Sequence, residues 1–418
     1  MADDARREAG FRDRTRVADA RATLLDHATP HDRADLLPVA RTDGRALAEP
    51  VAAARDVPGY DRAAVDGWAV RAEDTFGASD RAPETLAVAG DGDPEAAESV
   101  DPGSAARVHT GSPLPDGADA VVMVEHAERV GDRVDLFRAL GRGENVGVRG
   151  EDVESGQHLF DAGHRLRPSD LGLLSAAGRA VVPVAARPTV GVVPTGEELV
   201  RADPEPGEVV ETNALTVASL VSRWGGQPTR RDPVPDQRSA LRAAIQRDLH
   251  RDIVVTTGGT SVGERDLVPE VIDDLGDLLV HGVALAPGHP VAFGVVEETP
   301  VLALPGYPVA CVVNAVQFLR PALKRIGGLP CPDLPTVPAT LDRKATSEPG
   351  VRTFVRVRLE ARETDAEDGA HRAVPVRAGG SGVLSSISLA DGWLVVAEDS
   401  EGVPAGERVD VELWEFLA

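Results

Sequence analysis

IVVTTGGTSVGERDLVPE, residues 253–270, reads as strand, glycine turn and helix. The run from Ile253 to Thr257 is short, apolar and β-branched, which suits a strand buried on both faces. Gly258 and Gly259 permit positive φ and let the backbone approach a ligand with no Cβ in the way. Thr260 and Ser261 add hydroxyls, Gly263 loosens the chain again, and Asp266 stands just ahead of the apolar helix LVPEVIDDL. Such a loop aims backbone N–H groups and a helix N-terminus at one point, a geometry that favours a phosphate or another oxyanion. The plainer alternative is a turn that only reverses the chain, with Asp266 as a helix N-cap.

Working outward, residues 188–328 carry α/β character. Apolar strands VGVVP, DIVVTT, VAFGVV and VLALP alternate with the helical stretches TNALTVASLVSRWGG, DQRSALRAAIQRDL and VACVVNAVQFLRPALKRIGG. That alternation implies a mainly parallel, doubly wound sheet whose ligands sit at the carboxyl ends of the strands. Three loops leave strands at that edge: Thr195-Gly196-Glu197-Glu198, the Gly258-Gly259 turn, and Pro305-Gly306-Tyr307-Pro308. All three are expected to line a single crevice. Pro308 near a helix start costs no hydrogen bond and pre-sets φ, and Gly306 leaves a second backbone N–H accessible. Glu198 and Asp266 would then be acids beside phosphates, which makes electrostatic sense only if a divalent cation bridges them. Alternatively, Glu198 is a solvated acid in the first turn of a helix.

Elsewhere the pattern is different. Residues 17–27 have helical spacing, with Leu24 and Leu25 toward a core, and the alanine-rich 41–54 reads as helical or mixed. DVPGYDRAAVDGWAVR follows, with Asp61, Arg62 and Asp66 between apolar residues. Asp66-Gly67 is by itself an ordinary turn signal. Residues 85–159 are strands separated by turn clusters, including HTGSPLPDGADAVV with Thr110 and Ser112. GRGENVGVRGEDVESG, with Arg142, Asn145, Arg149, Glu151 and Asp152, has the composition of a solvated loop. Residues 329–418 return to strand character and read as a small β-barrel or sandwich.

Composition narrows the classes. A chain of 418 residues implies two to four domains at about 100–200 residues each. No apolar run is long enough to span a bilayer, and the charged N-terminal MADDARREAGFRDR lacks the apolar core of a signal peptide, so a cytoplasmic protein is expected. Cys311 and Cys331 have neither the number nor the spacing of a disulfide framework or thiolate metal site. The net charge of −24 argues against non-specific binding to nucleic acid or anionic membrane. Lysine occurs only at 324 and 344. A dense acidic surface almost without lysine suits a high-salt interior, where self-repulsion is screened.

Together, DVPGYDRAAVDGWAVR, RVHTGSPLPDGADAVVMVE, NVGVRGEDVESG, VPTGEELV, TTGGTSVGERD, APGHPVAFG, LPGYPVA and SGVLSSISLADGWLVV resemble the MoeA/gephyrin family of molybdopterin molybdenumtransferases across nearly the whole chain. The resemblance implies an elongated four-part subunit: 1–47 with 150–187, a β-rich domain at 48–149, a MogA-like α/β domain at 188–328, and a C-terminal β-barrel at 329–418. It implies a homodimer, and a reaction in which molybdate or tungstate replaces the adenylyl group of adenylylated molybdopterin with release of AMP, assisted by Mg²⁺. Asp66 and Thr110 look like residues contributed across the dimer crevice, with Asp152 nearby. Glu198, Gly258, Gly259, Ser261, Gly263, Asp266, Pro305, Gly306, Pro308 and His289 look like the wall that holds pterin phosphate and nucleotide. Asp232, in DPVPD, resembles a further acidic position of that wall, and Glu198, Asp232 and Asp266 would hold the metal.

Two stretches depart from the family pattern. A usual KPGKP is here Ala286-Pro287-Gly288-His289-Pro290, and a usual LPGNPVS has Tyr307 and Ala310. Two positive charges give way to an alanine and a histidine that is mostly neutral near pH 7. Either neighbouring arginines supply the charge, or the chain is a diverged paralogue that binds a pterin, a nucleotide or a protein partner without inserting metal, or serves as a plain scaffold.

Overall fold

A computed structural model describes residues 14–90, 97–260, 267–361, 371–376 and 382–416. Residues 189–326 form the α/β unit. Its strands are β1 (Thr189–Pro194), β2 (Gln227–Arg230), β3 (Ile253–Thr257), β4 (Asp277–His281), β5 (Ala292–Val296) and β6 (Thr299–Leu304). They lie in the order β2-β1-β3-β6-β5-β4. β1 is parallel to β2 and β3, and β3 to β6, whereas β5 runs antiparallel to both β6 and β4. Helices α1 (Asn213–Arg223), α2 (Arg238–Asp248), α3 (Val268–Leu275) and α4 (Pro308–Asn314) cover the two faces.

The period-2 alternation of each strand decides which helix it meets. Val190, Val192, Ile253, Val255, Leu302 and Leu304 face α1 and the chain that follows α4. Val254, Val301 and Ala303 face Leu241 and Ile245 of α2 and Val268, Val271 and Ile272 of α3. After α4 the helix widens into a π turn, Ala315–Leu319, before resuming as Arg320–Ile326. Pro321 lacks the N–H that the carbonyl of Gln317 would otherwise accept. Arg21 replaces it, donating from Nε to that carbonyl at 3.1 Å and from Nη2 to the Gln317 side chain at 2.5 Å. This ties the N-terminal helix Val17–Asp26, through buried Val17, Ala20 and Leu24, to the α/β core.

Three other units surround it. A six-stranded sheet orders Ala120–Met123, Gly67–Val70, Ser104–Val108, Glu84–Ala89, Arg133–Leu136 and Ala127–Val130. Strand Ala34–Pro38 pairs with Val181–Ala185 over helix Pro168–Ala176. In the C-terminal region, Arg352–Ala361, His371–Pro375, Thr336–Leu341, Arg408–Glu412 and Gly392–Val396 pair in sequence. The last closes back on the first, making a five-stranded barrel. Of the two readings of 41–54, helical or mixed, the helical one does not hold. That stretch is drawn out by bridges from Ala46 to Arg165 and Leu47 to Val184, and forms only the short strand Val51–Ala52. Tertiary pairing overrides the helix propensity of its alanines.

Candidate active site

Register explains why three loops meet. Pro194 lies level with Thr257, and Thr257 level with Leu304, so Thr195, Gly258 and Pro305 leave the sheet side by side. The chain passes from β1 outward to β2 and back across β1 to β3, which makes the β1/β3 boundary the switch point where the sheet opens a crevice. Thr195 N–H donates to Thr257 O at 3.1 Å, and Gly258 N–H to Leu304 O at 2.9 Å. Gly258 has φ +120°, and a Cβ there would lie 2.4 Å from the carbonyl oxygen of Thr195. Only glycine fits. The third loop is pinned by Asn213, whose Nδ2 donates to Gly306 O at 2.6 Å.

The Gly258 N–H is thus used within the sheet. The N–H groups of Gly259 and Gly306 donate to no other described residue. Beside them, the hydroxyls of Thr195 and Thr257 are buried to 2% exposure each and have no hydrogen-bond partner among the described residues. A buried, unsatisfied polar group costs about 1–3 kcal/mol. Two neighbouring ones on a single cavity wall leave hydrogen-bonding capacity there that no described residue fills.

The cavity they line has a volume of about 970 Å³. Glu198, Gly258, Gly259, His289, Pro305, Gly306 and Pro308 are all on its wall, and so are Tyr307 and Ala310. Ser261, Gly263 and Asp266 lie outside the described residues; α3 begins at Val268 with Leu267 in the N-cap position. Glu198 occupies an exposed turn ahead of the short strand Leu199–Val200, not the first turn of a helix. Asp232 is absent from the lining, and its exposed carboxylate is ion-paired with Arg201. Asp236, four residues on, lines the cavity. Among the described residues, no group of three or more histidines, cysteines and acids is placed to hold a metal ion.

A wall that sequence reasoning missed comes from the barrel. Leu285 and Ala286 pair in parallel with Arg352 and Thr353, which brings Thr353 to Arg356 to the cavity. The Nε of Arg356 is buried without a partner. Burial lowers its pKa from an ordinary value so high that the guanidinium remains charged. Burial, with Arg14 beside it, also pulls the His289 imidazole below its usual value, so it is neutral at pH 7. Arg356 therefore stands as a cation beside the positions where Ala286 and His289 carry no charge. Cys311 is buried and burial pushes its thiol far up, which leaves it an inert core residue.

Asp66, Thr110 and Asp152 are not on this wall. Asp66 sits in the bend before Gly67–Val70, and its Oδ1 accepts from the Thr110 N–H at 2.7 Å and the Thr110 hydroxyl at 2.9 Å. Those two hydrogen bonds hold its carboxyl below the usual range. Gly67 is more than a turn residue: a Cβ there would lie 2.0 Å from Val122 O, so glycine is what lets the flanking strands close on it. Asp152 belongs to a loop docked on the same region. Its N–H donates to Val57 O at 3.0 Å, while Arg62 pairs with Glu151 at 2.8 Å and Asp61 accepts from Arg149 N–H at 2.7 Å. Asp66 and Thr110 thus form one exposed, ordered acidic corner.

Three family models cover the chain: the MoeA N-terminal region (domains I and II) over residues 15–178, a "probable molybdopterin binding domain" over 191–325, and the MoeA C-terminal region (domain IV) over 338–414. A molybdopterin molybdenumtransferase 2 of Mycobacterium tuberculosis is 34% identical over 91% of this chain and 94% of its own length. A molybdopterin molybdenumtransferase of Bacillus subtilis is 32% identical over 88% of this chain and 87% of its own. The crystal structure of a MoeA molybdopterin biosynthesis protein from Pyrococcus horikoshii is similar over 96% of this chain and all of that one, with TM-score 0.81 and 33% identity. With the sheet, the barrel and the β-rich unit all matched in order, the chain belongs to the MoeA family.

Proposed function

We propose that the chain is a molybdopterin molybdenumtransferase, an enzyme of molybdenum cofactor biosynthesis that inserts molybdate or tungstate into adenylylated molybdopterin and releases AMP. The names of its relatives support the reaction class. The observation that carries the reading to this site is the pair of buried, unpartnered hydroxyls of Thr195 and Thr257 beside the Gly258-Gly259 turn. Hydroxyls and backbone N–H groups fixed at a sheet's switch point suit a phosphate, and Arg356 adds a positive charge in a partly desolvated wall. A phosphoanhydride reacts when its charge is neutralised and its reacting oxygens are held in place.

Mg²⁺ would be held at this wall together with the substrate's phosphates. Such an ion commonly takes only one or two protein carboxylates, and Glu198 and Asp236 line the cavity. With Asp266 as a third proposed ligand, these residues would hold it, and the ion would neutralise phosphate charge when bound. We assign Asp66 and Thr110 to the same reaction from a second copy of the chain in a homodimer: their ordered carboxylate would face the partner's crevice, with Asp152 behind it.

The test mixes purified protein with adenylylated molybdopterin, Mg²⁺ and molybdate or tungstate at high salt, and measures AMP and reconstituted cofactor. AMP and cofactor should appear together. Asp66→Ala should lose metal insertion with the fold retained. Absence of AMP release with either oxyanion overturns the reading in favour of a binding or scaffold protein.

A further inference from the structure

We propose that Tyr307 is the platform on which the flat heteroaromatic ring of the phosphate-bearing substrate stacks, and that it sets the preference for such a ring; this rests on the phosphate reading of the cavity above. Aromatic residues make up only 3% of the chain, and tyrosine occurs twice. Tyr60 is tied down, its hydroxyl donating to Gly111 O at 3.3 Å. Tyr307 lines the cavity with 64% of its surface exposed. A single exposed apolar residue on an outer surface is ordinary. At the mouth of a cavity built for a polar group, an open aromatic face is a binding element.

Its mounting is rigid. Tyr307 is the N-cap residue of α4 with extended φ and ψ, its carbonyl accepts from Cys311 N–H at 2.9 Å, and Pro308 follows at the first helical position. The preceding Gly306 is held by Asn213 and packs on the phosphate turn, where a Cβ on Gly306 would lie 3.5 Å from Gly258 Cα. The ring is therefore one residue from the backbone that would hold a phosphate. At Gly382, a Cβ would come within 3.3 Å of Tyr307 Cδ1 and 3.4 Å of Cε1. The glycine lets the barrel chain lie against that edge of the ring and brace it. Val209, among the described residues the other large apolar side chain that is both exposed and on the lining, adds a second apolar surface to the mouth.

Stacking is tolerant of ring type because every base presents a π-face, so adenine and pterin are distinguished by experiment. Binding of AMP, neopterin monophosphate and ribose 5-phosphate is measured calorimetrically for wild type, Tyr307→Ala and Tyr307→Phe. At least one ring-bearing ligand should bind about tenfold tighter than ribose 5-phosphate, an advantage lost in Tyr307→Ala and kept in Tyr307→Phe. Ribose 5-phosphate should bind all three proteins alike. The ligand that loses affinity identifies the ring. Equal binding of all three ligands to wild type, or a loss in Tyr307→Ala that is the same for all of them, overturns the platform and leaves the phosphate site standing. If wild type binds none of them, the phosphate reading itself falls.

Discussion

The two edges of the α/β sheet are made from the same apolar strands, yet they treat polar side chains in opposite ways. Toward the amino ends, two aspartates are closed onto partners. Asp252 accepts from Thr189 N–H at 2.7 Å, from the Thr189 hydroxyl at 2.8 Å and from Arg33 at 2.6 Å. Asp248, fully buried at the end of α2, accepts from Arg231 Nε at 2.9 Å and Arg251 Nε at 3.1 Å. At the carboxyl ends, Thr195 and Thr257 bury hydroxyls with no partner among the described residues, and Arg356 of the barrel lines the same cavity with a buried Nε that likewise has none. A satisfied polar network holds elements together, whereas an unsatisfied one costs stability and persists where something else completes it.

The largest effect should come from the closed edge. Asp248→Ala leaves the guanidinium groups of Arg231 and Arg251, both partly buried, without their carboxylate. It should destabilise the fold by about 3–5 kcal/mol, as removal of one partner of a buried pair does. The fraction that remains folded should release AMP at the wild-type rate. The same edge carries a pH signature. Burial pushes the carboxyls of Asp248 and Asp252 up, but hydrogen bonds from Arg231 and Arg251 to the first, and from Thr189 and Arg33 to the second, outweigh it and hold both low. Their folded values lie below their unfolded ones, so this stability is fully present above about pH 4 and is lost as pH falls through the folded values. Thermal melts between pH 6 and pH 2 should show that loss, and Asp252→Asn should shrink it.

Gly258→Ala comes next. It places a Cβ 2.4 Å from Thr195 O at φ +120°, so the turn must shift or the sheet edge must strain. A cost of about 1–3 kcal/mol in stability is expected, together with loss of phosphate binding well beyond what that destabilisation explains. A variant that is destabilised but binds normally would mean the turn only reverses the chain, and that the open edge is not where a ligand sits.

How far each edge could be read in advance follows from how local its signals are. TTGG is a strand followed by glycines within a few residues, and the rule that parallel strands present their carboxyl ends together was enough to bring 195, 258 and 305 to one place. The barrel wall was not readable. Arg356 reaches the cavity because Ala286 pairs with Thr353, a contact between distant segments that no periodicity encodes. Asp232 and Asp236 stand in one short loop, and spacing does not tell which of them reaches the cavity; Arg201 pairs with the former and the latter lines the wall. The bond between Asp66 and Thr110 spans 44 residues; its partners came from the family resemblance, and residue spacing alone offered nothing stronger than a turn. In 41–54 the alanines suggested helix, and strand pairing to distant segments prevailed.

The finest test applies one substitution to the two ends of one strand. Thr189 begins β1 and Thr195 follows its last residue, so Thr→Val at each removes a hydroxyl of nearly the same shape from the same sheet. At Thr189 the hydroxyl donates to Asp252, and its loss should cost about 1–2 kcal/mol because hydrogen bonds to charged groups exceed neutral ones. Phosphate binding should not change. At Thr195 the hydroxyl has no partner, so replacing it with a methyl should leave unliganded stability within about 0.5 kcal/mol or raise it slightly. Phosphate or AMP affinity should fall about tenfold, the worth of one hydrogen bond to a charged group. The two variants should therefore exchange phenotypes, one losing stability and keeping ligand, the other keeping stability and losing ligand. If Thr195→Val loses stability as Thr189→Val does, its hydroxyl is already satisfied in solution and the two edges are alike; if it keeps both stability and ligand, the phosphate rests elsewhere on the wall, with Arg356 the next position to replace.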